Sequence, residues 1–161
     1  MSISYIGRGD IAISNTKTDI IKTMSLASCV GVMLYDKELE TVAIGHVTLP
    51  NSSVRSGNDG GKPARYADTG ILLLVKALMK MGSKGGKSIV AKIVGGAQLE
   101  DENKTLNLGD RNVAAVKNIL TKCGLSVLAE DTGKEITRVM EVNVGNGEII
   151  LSTPGKPKWK I

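Results

Sequence analysis

Phenylalanine is absent from this 161-residue chain, and aromatic side chains amount to three Tyr and one Trp. A core built without them must be aliphatic, from Ile, Val, Leu, Met and Ala. Histidine occurs once, at His46, and cysteine twice, at Cys29 and Cys123. Three such ligands, one of them on a helical stripe, do not furnish a four-ligand zinc site, so no metal and no cofactor is expected. No run approaches the length of a membrane span, and the start (MSISYIGRGD) lacks the apolar region of a signal peptide. These absences point to a cytoplasmic protein without membrane insertion, whose thiols stay reduced. The charge of one sign is also modest: 21 basic against 16 acidic residues, a formal +5, with Lys156, Lys158 and Lys160 crowded into a basic tail at 154–161. Without an aromatic platform for bases or a DNA-binding helix pair, the excess reads as solubility and attraction to an acidic protein, not as nucleic-acid binding.

What is present suffices for one domain, residues 1–161, with a single core. Ile11–Ser14 reads as a strand. Ser28–Asp36 and Thr41–Leu49 read as a hairpin turning at Lys37 and Glu38, with Val30, Val32 and Leu34 on one face and Met33, Val42 and Ile44 on the other. A sheet apolar on both faces is covered on both. Asn51–Arg65 is a long polar loop of the kind that is functional or disordered. Its Lys62 follows two glycines, but Ser56 and Pro63 break the phosphate-loop pattern. A helix is expected from Asp68 or Thr69, as its cap, to Met81. A second runs from Gly109 to Cys123 with a stripe of Val113, Val116, Leu120 and Cys123, which makes Cys123 a core thiol. Ser88–Val94, Ser126–Ala129, Thr137–Val144 and Glu148–Ser152 read as strands. The fold class is therefore an α/β (α+β-like) layered sandwich with a largely antiparallel mixed sheet and two main helices.

The chemistry concentrates in the hairpin. A two-residue turn at Lys37-Glu38 sets His46 directly opposite Cys29, on the same face, with Cβ atoms about 5 Å apart. A longer turn makes the pair diagonal but still within reach. A thiol beside an imidazole is a nucleophile–base pair suited to acyl transfer through a thioester. Such a pair needs a third group to hold the imidazole, and Thr23, Ser25, Ser28 and Thr48 all lie in neighbouring segments. Glu130 and Asp131 offer an alternative pair of carboxylates, but a solvated turn before Gly133 accounts for them.

Six segments then occur in a fixed order: Thr23–Val30 (TMSLASCV), Gly45–Pro50 (GHVTLP), Arg65–Thr69 (RYADT), Gly95–Ala97 (GGA), Asn107–Asn112 (NLGDRN) and Ala129–Gly133 (AEDTG). Together they resemble the chemoreceptor glutamine deamidases, the CheD family. The resemblance implies a cysteine hydrolase fold like that of the cytotoxic necrotizing factor toxins. It implies hydrolysis of glutamine side-chain amides on the cytoplasmic helices of methyl-accepting chemotaxis receptors, giving glutamate and ammonia, with receptor glutamate methyl esters as further substrates. It assigns Cys29 as nucleophile, His46 as base and acid, and Thr23 as the group that orients His46. Ser28 and Ala27 beside the nucleophile, Arg65 and Tyr66, and Gly95 and Gly96 form a supporting or substrate-binding set, with the glycines read as close backbone packing. The CheC phosphatase is the implied protein partner, and the alternative function is a weakly catalytic module that regulates CheC or docks on receptors. Four positions depart from the family pattern: Ala27 and Lys134 replace glycines, Val42 stands where glycine is frequent, and Thr48 replaces a Met. Ala27 carries strain if that position requires positive φ.

Overall fold

The computed structural model of the protein describes residues 1–54, 61–99 and 107–161. Ser56 and the centre of the loop after Pro50 therefore lie outside the described residues. Among the described residues ten strands form two five-stranded sheets. In the first, β2 (Ile11–Ser14), β5 (Thr41–Val47), β4 (Val30–Asp36), β6 (Ile89–Gly95) and β7 (Ser126–Thr132) lie side by side in that order. In the second the order is β1 (Ile3–Ile6), β3 (Ile20–Thr23), β8 (Val139–Asn143), β9 (Ile149–Ser152) and β10 (Trp159–Lys160). Each sheet is antiparallel except for one parallel pair, β6–β7 and β1–β3. Helices α1 (Ala67–Lys80) and α2 (Leu108–Lys122) cover the outer face of the first sheet.

The two apolar faces of the hairpin explain this layering. Val30, Val32 and Leu34 of β4 pack toward the helices with Ile71, Leu74 and Leu78 of α1 and with Val116 and Leu120 of α2. Met33, Val42 and Ile44 face the second sheet, against Ile21, Met140, Val142 and Leu151. Both cores are aliphatic, as the missing phenylalanine requires. The layered α/β sandwich expected from the sequence is present. The second sheet is largely new, because β1, β3 and β10 are short strands with little periodicity of their own. Among the described residues no helix is long and apolar enough to cross a membrane.

Two local readings change. α1 begins at Ala67, one residue before Asp68, and Asp68 reaches out of its first turn to the Ser52 N–H (3.0 Å) and hydroxyl (2.7 Å). Glu130 and Asp131 belong to β7, which runs to Thr132, and are not a solvated turn. Glu130 pairs with Lys117 at 2.8 Å. Asp131 binds the fully buried Arg138 at 2.9 Å and accepts the Trp159 indole N–H at 2.7 Å. Both carboxylates are thus committed to holding the fold.

Candidate active site

The hairpin turn decides how Cys29 and His46 meet. Asp36 is buried, and its carboxylate accepts the N–H groups of Glu38 (2.9 Å) and Leu39 (3.0 Å) and the hydroxyls of Ser83 and Ser88. Two backbone donors on one aspartate wrap the chain into a four-residue turn, Lys37–Glu40, which ends with Glu40 at φ 50°. The register is therefore Asp36 opposite Thr41 and Gly31 opposite His46. The next pair is Val30 opposite Val47, and one step beyond it the same register sets Thr48, not His46, opposite Cys29. The two-residue turn and the direct pair are corrected to a longer turn and a diagonal pair. A shift of two residues keeps every side chain on its face, so Cys29 and His46 still share the inter-sheet side.

Gly31 lies between them, and the space its missing side chain leaves is filled from the second sheet. A Cβ there would stand 2.8 Å from the Met140 sulphur, 3.1 Å from Leu26 and 3.7 Å from the Thr23 methyl. Thr23 is thus brought to the glycine opposite His46. Its hydroxyl oxygen accepts the Met140 N–H at 3.1 Å. The expected Thr23–His46 hydrogen bond is not formed, and among the described residues neither imidazole nitrogen has a hydrogen-bond partner although His46 is 1 % exposed. The His46 backbone is fixed by the β1–β2 loop: Gly9 N–H donates to its carbonyl (2.9 Å) and its own N–H to Asp10 (3.1 Å).

Burial controls the electrostatics of both groups. It pushes the His46 imidazole down to about 4, with the Ile6 backbone opposing and the nearby Arg8 cation assisting. Burial pushes the Cys29 thiol up, against the Thr48 hydroxyl, Arg8, the thiol's own backbone N–H and Arg65. At neutral pH the resting pair is neutral thiol and neutral imidazole rather than an ion pair. Buried polar atoms are normally satisfied, and exceptions mark sites of function or strain. Among the described residues the unpaired buried side-chain atoms are both His46 nitrogens, the Thr48 hydroxyl, the Arg65 Nε, the Asn112 Oδ1 and the Arg138 Nη2; all but the last are on residues that border Cys29 and His46 or bind their neighbours.

The supporting residues fall around the same point. Gly96 N–H donates to the Cys29 carbonyl (2.8 Å) and Ala97 N–H to the Ala27 carbonyl (2.7 Å). Gly95, at φ 113°, lies so close that a Cβ would sit 2.2 Å from the Cys29 oxygen. The glycine pair is therefore backbone packing against the Ala27–Cys29 segment. The Arg65 carbonyl accepts the N–H groups of Thr48 (2.8 Å) and Leu49 (3.0 Å), while Tyr66 is buried at the start of α1. Ala27 is absent from the residues with positive φ, so it carries no such strain. Lys134, at the other glycine-replacing position, has φ 60°. Cys123 caps α2 and packs half-buried on the helix-side core, away from the pair.

Asn112 closes the Asn107–Asn112 segment singled out in the sequence, but the sequence assigns it no part in the site. It is fully buried, and its amide donates to the carbonyls of both Ser28 and Thr48 at 2.9 Å. The available signal was its place four residues before Val116 on the buried stripe of α2, where a polar side chain requires a reason.

With this geometry in place, comparison with known proteins identifies its kind. A family model described as CheD chemotactic sensory transduction matches residues 48–153. The chain belongs to the CheD family. The matched span begins just after His46, yet similarity to whole CheD proteins extends across Thr23, Cys29 and His46. A protein named probable chemoreceptor glutamine deamidase CheD from Syntrophotalea carbinolica is 36% identical over all of both chains. The chemoreceptor glutamine deamidase CheD of Thermotoga maritima is 41% identical over 93% of this chain and 91% of its own. Among solved structures, Neisseria meningitidis protein NMB0706, of the DUF152 family, superposes with a TM-score of 0.50 at 11% identity, covering 83% of this chain and 64% of that one. That likeness concerns the fold alone.

Proposed function

We infer that this CheD-family chain is a protein-glutamine deamidase acting on chemoreceptors. The observation that carries the reading is a buried thiol and an unpaired imidazole on one face of the β4–β5 hairpin, in a chain whose full-length relatives bear that name. In the reaction His46 takes the Cys29 proton as sulphur attacks the glutamine side-chain carbonyl. The tetrahedral intermediate collapses as His46 returns the proton to the leaving nitrogen, so the C–N bond breaks and ammonia departs. Water, deprotonated by His46, attacks the thioester, releases the thiol and leaves glutamate. An imidazole held near 4 is unprotonated at neutral pH and free to accept the proton, and burial makes it a weaker base than one matched to that pH. Thr23, across from Gly31, turns its hydroxyl proton to His46 when substrate opens the site. The substrate glutamines lie on the cytoplasmic helices of receptors, the enzyme works in the cytoplasm as one domain, glutamate methyl esters follow the same path, and CheC is the regulatory partner.

A second reading, a weakly catalytic module that docks on receptors or CheC, draws on the buried thiol that burial pushes up and the missing Thr23–His46 bond. Mass spectrometry of a receptor cytoplasmic fragment separates the two. The native protein should convert Gln to Glu, a gain of about one mass unit per site, and Cys29→Ala should not. Binding without conversion selects the docking module.

A further inference from the structure

Three consecutive carbonyls in the nucleophile segment are each held by a donor. Ala97 N–H holds that of Ala27 (2.7 Å), the Asn112 amide that of Ser28 (2.9 Å), and Gly96 N–H that of Cys29 (2.8 Å). Two of these donors come from the backbone after β6, and the start of α2 is pressed against that backbone: a Cβ on Gly109 would stand 2.4–2.5 Å from the carbonyls of Ala97 and Gly96. The third is a side chain, the only one of the three that a substitution can remove. A trans peptide is planar, with its C=O and N–H pointing in opposite directions. Whatever fixes the Ser28 carbonyl therefore fixes the Cys29 N–H at the other end of the same plane. That N–H is one of the groups that draw the Cys29 thiol down against burial, and it belongs to the residue whose attack on a carbonyl would create the oxyanion.

We propose that Asn112 is a positioning residue: by holding the Ser28 carbonyl it presents the Cys29 N–H beside the thiol as an oxyanion donor. Its second bond, to the Thr48 carbonyl, locks this peptide to the end of the strand that carries His46. Donors preset for the developing oxyanion need no reorganisation during the reaction. Asn112 touches neither substrate nor reacting atoms in this scheme. Its side chain is fully buried and reaches the site only through main-chain oxygens.

The oxyanion role rests on the deamidase reading, and the test keeps the two apart. Asn112→Ala and Asn112→Ser, the latter keeping one donor, are compared with the native protein as folded fractions. Two readouts are taken: kcat and KM for deamidation of a receptor cytoplasmic fragment, and the pH midpoint of Cys29 alkylation by iodoacetamide, with Cys123 as internal reference. The expected result is a kcat lower by about 10²-fold with KM nearly unchanged, and an upward shift of the Cys29 midpoint alone, because the thiolate loses the pull of that N–H. An unchanged Cys29 midpoint in folded variants overturns the proposal. So does a rate loss that follows KM, and so does failure of both variants to fold, which makes Asn112 a folding residue. If the native protein converts no glutamine, the deamidase reading fails, while the alkylation midpoint still decides what Asn112 does to the Cys29 peptide.

Discussion

His46 illustrates how a single residue's surroundings set its chemistry. Its ordinary value is 6.5, and burial lowers it to about 4. Between those values an unfolded chain binds a proton at His46 that the folded chain refuses. The stability tied to this residue is thus present above pH 6.5 and is lost as pH falls through 4, by up to about 3 kcal/mol. Urea unfolding between pH 4 and 7 should show this slope in the native protein and a shallower one in His46→Gln. Equal slopes would mean that the folded imidazole titrates near its ordinary value. The two glycine-replacing positions are also resolved at this scale. The conformation that favours glycine occurs at Lys134, whose carbonyl accepts the Gln98 N–H, and not at Ala27 near Cys29. The departure beside the Cys29 thiol is therefore accommodated without positive φ, and the one at Lys134 takes the left-handed conformation.

Among the elements, the end of β6 has the least room for change. Gly95 needs a positive φ and has the Cys29 carbonyl where a side chain would be. Gly95→Ala should destabilise the protein by about 2–4 kcal/mol and impair the site, because relief of the clash must move the Cys29 peptide or break the Gly96–Cys29 bond. Denaturant unfolding paired with Cys29 alkylation checks both. Stability near native with normal Cys29 reactivity would show that the contact is slack. The β4–β5 turn shows the converse case, an element shaped from afar. Asp36 alone suggests a bend, but its carboxylate is held by hydroxyls 47 and 52 residues along the chain. Those partners select the four-residue turn and, through it, the diagonal pairing of thiol and imidazole.

At the scale of the molecule, the basic tail proves to be part of the second sheet. Trp159 and Lys160 pair with β9, Trp159 packs on the inter-sheet core, and Ile161 exchanges backbone bonds with Ile149 at 3.1 and 3.4 Å. Lys160 pairs with Glu148 at 3.2 Å, and only Lys156 and Lys158 of the three remain as free exposed charges. Lys92 reaches across to main-chain oxygens of Gly147 (3.2 Å) and Ile161 (3.0 Å), tying the first sheet to the edge of the second. Trp159→Ala removes a half-buried indole and its bond to Asp131, which also steadies Arg138. It should cost about 2 kcal/mol, read as a lower urea midpoint at unchanged slope. An unchanged midpoint would return the tail to the role of a loose charged appendage.

The sequence alone determined the aliphatic core, the two faces of the hairpin, the apolar stripes of both helices and the pairing of Cys29 with His46 on one side of a sheet. These follow from periodicities of two and 3.6 residues, which are local and survive an error of two in register. Tertiary structure alone decided the register itself, the second sheet over the site, the neutral buried state of the pair and the role of Asn112. Each depends on contacts between residues distant in sequence. A short strand such as β1 or β3 acquires its identity from the neighbour it pairs with, and a polar residue on an apolar stripe shows its purpose only when the carbonyls it holds are in place.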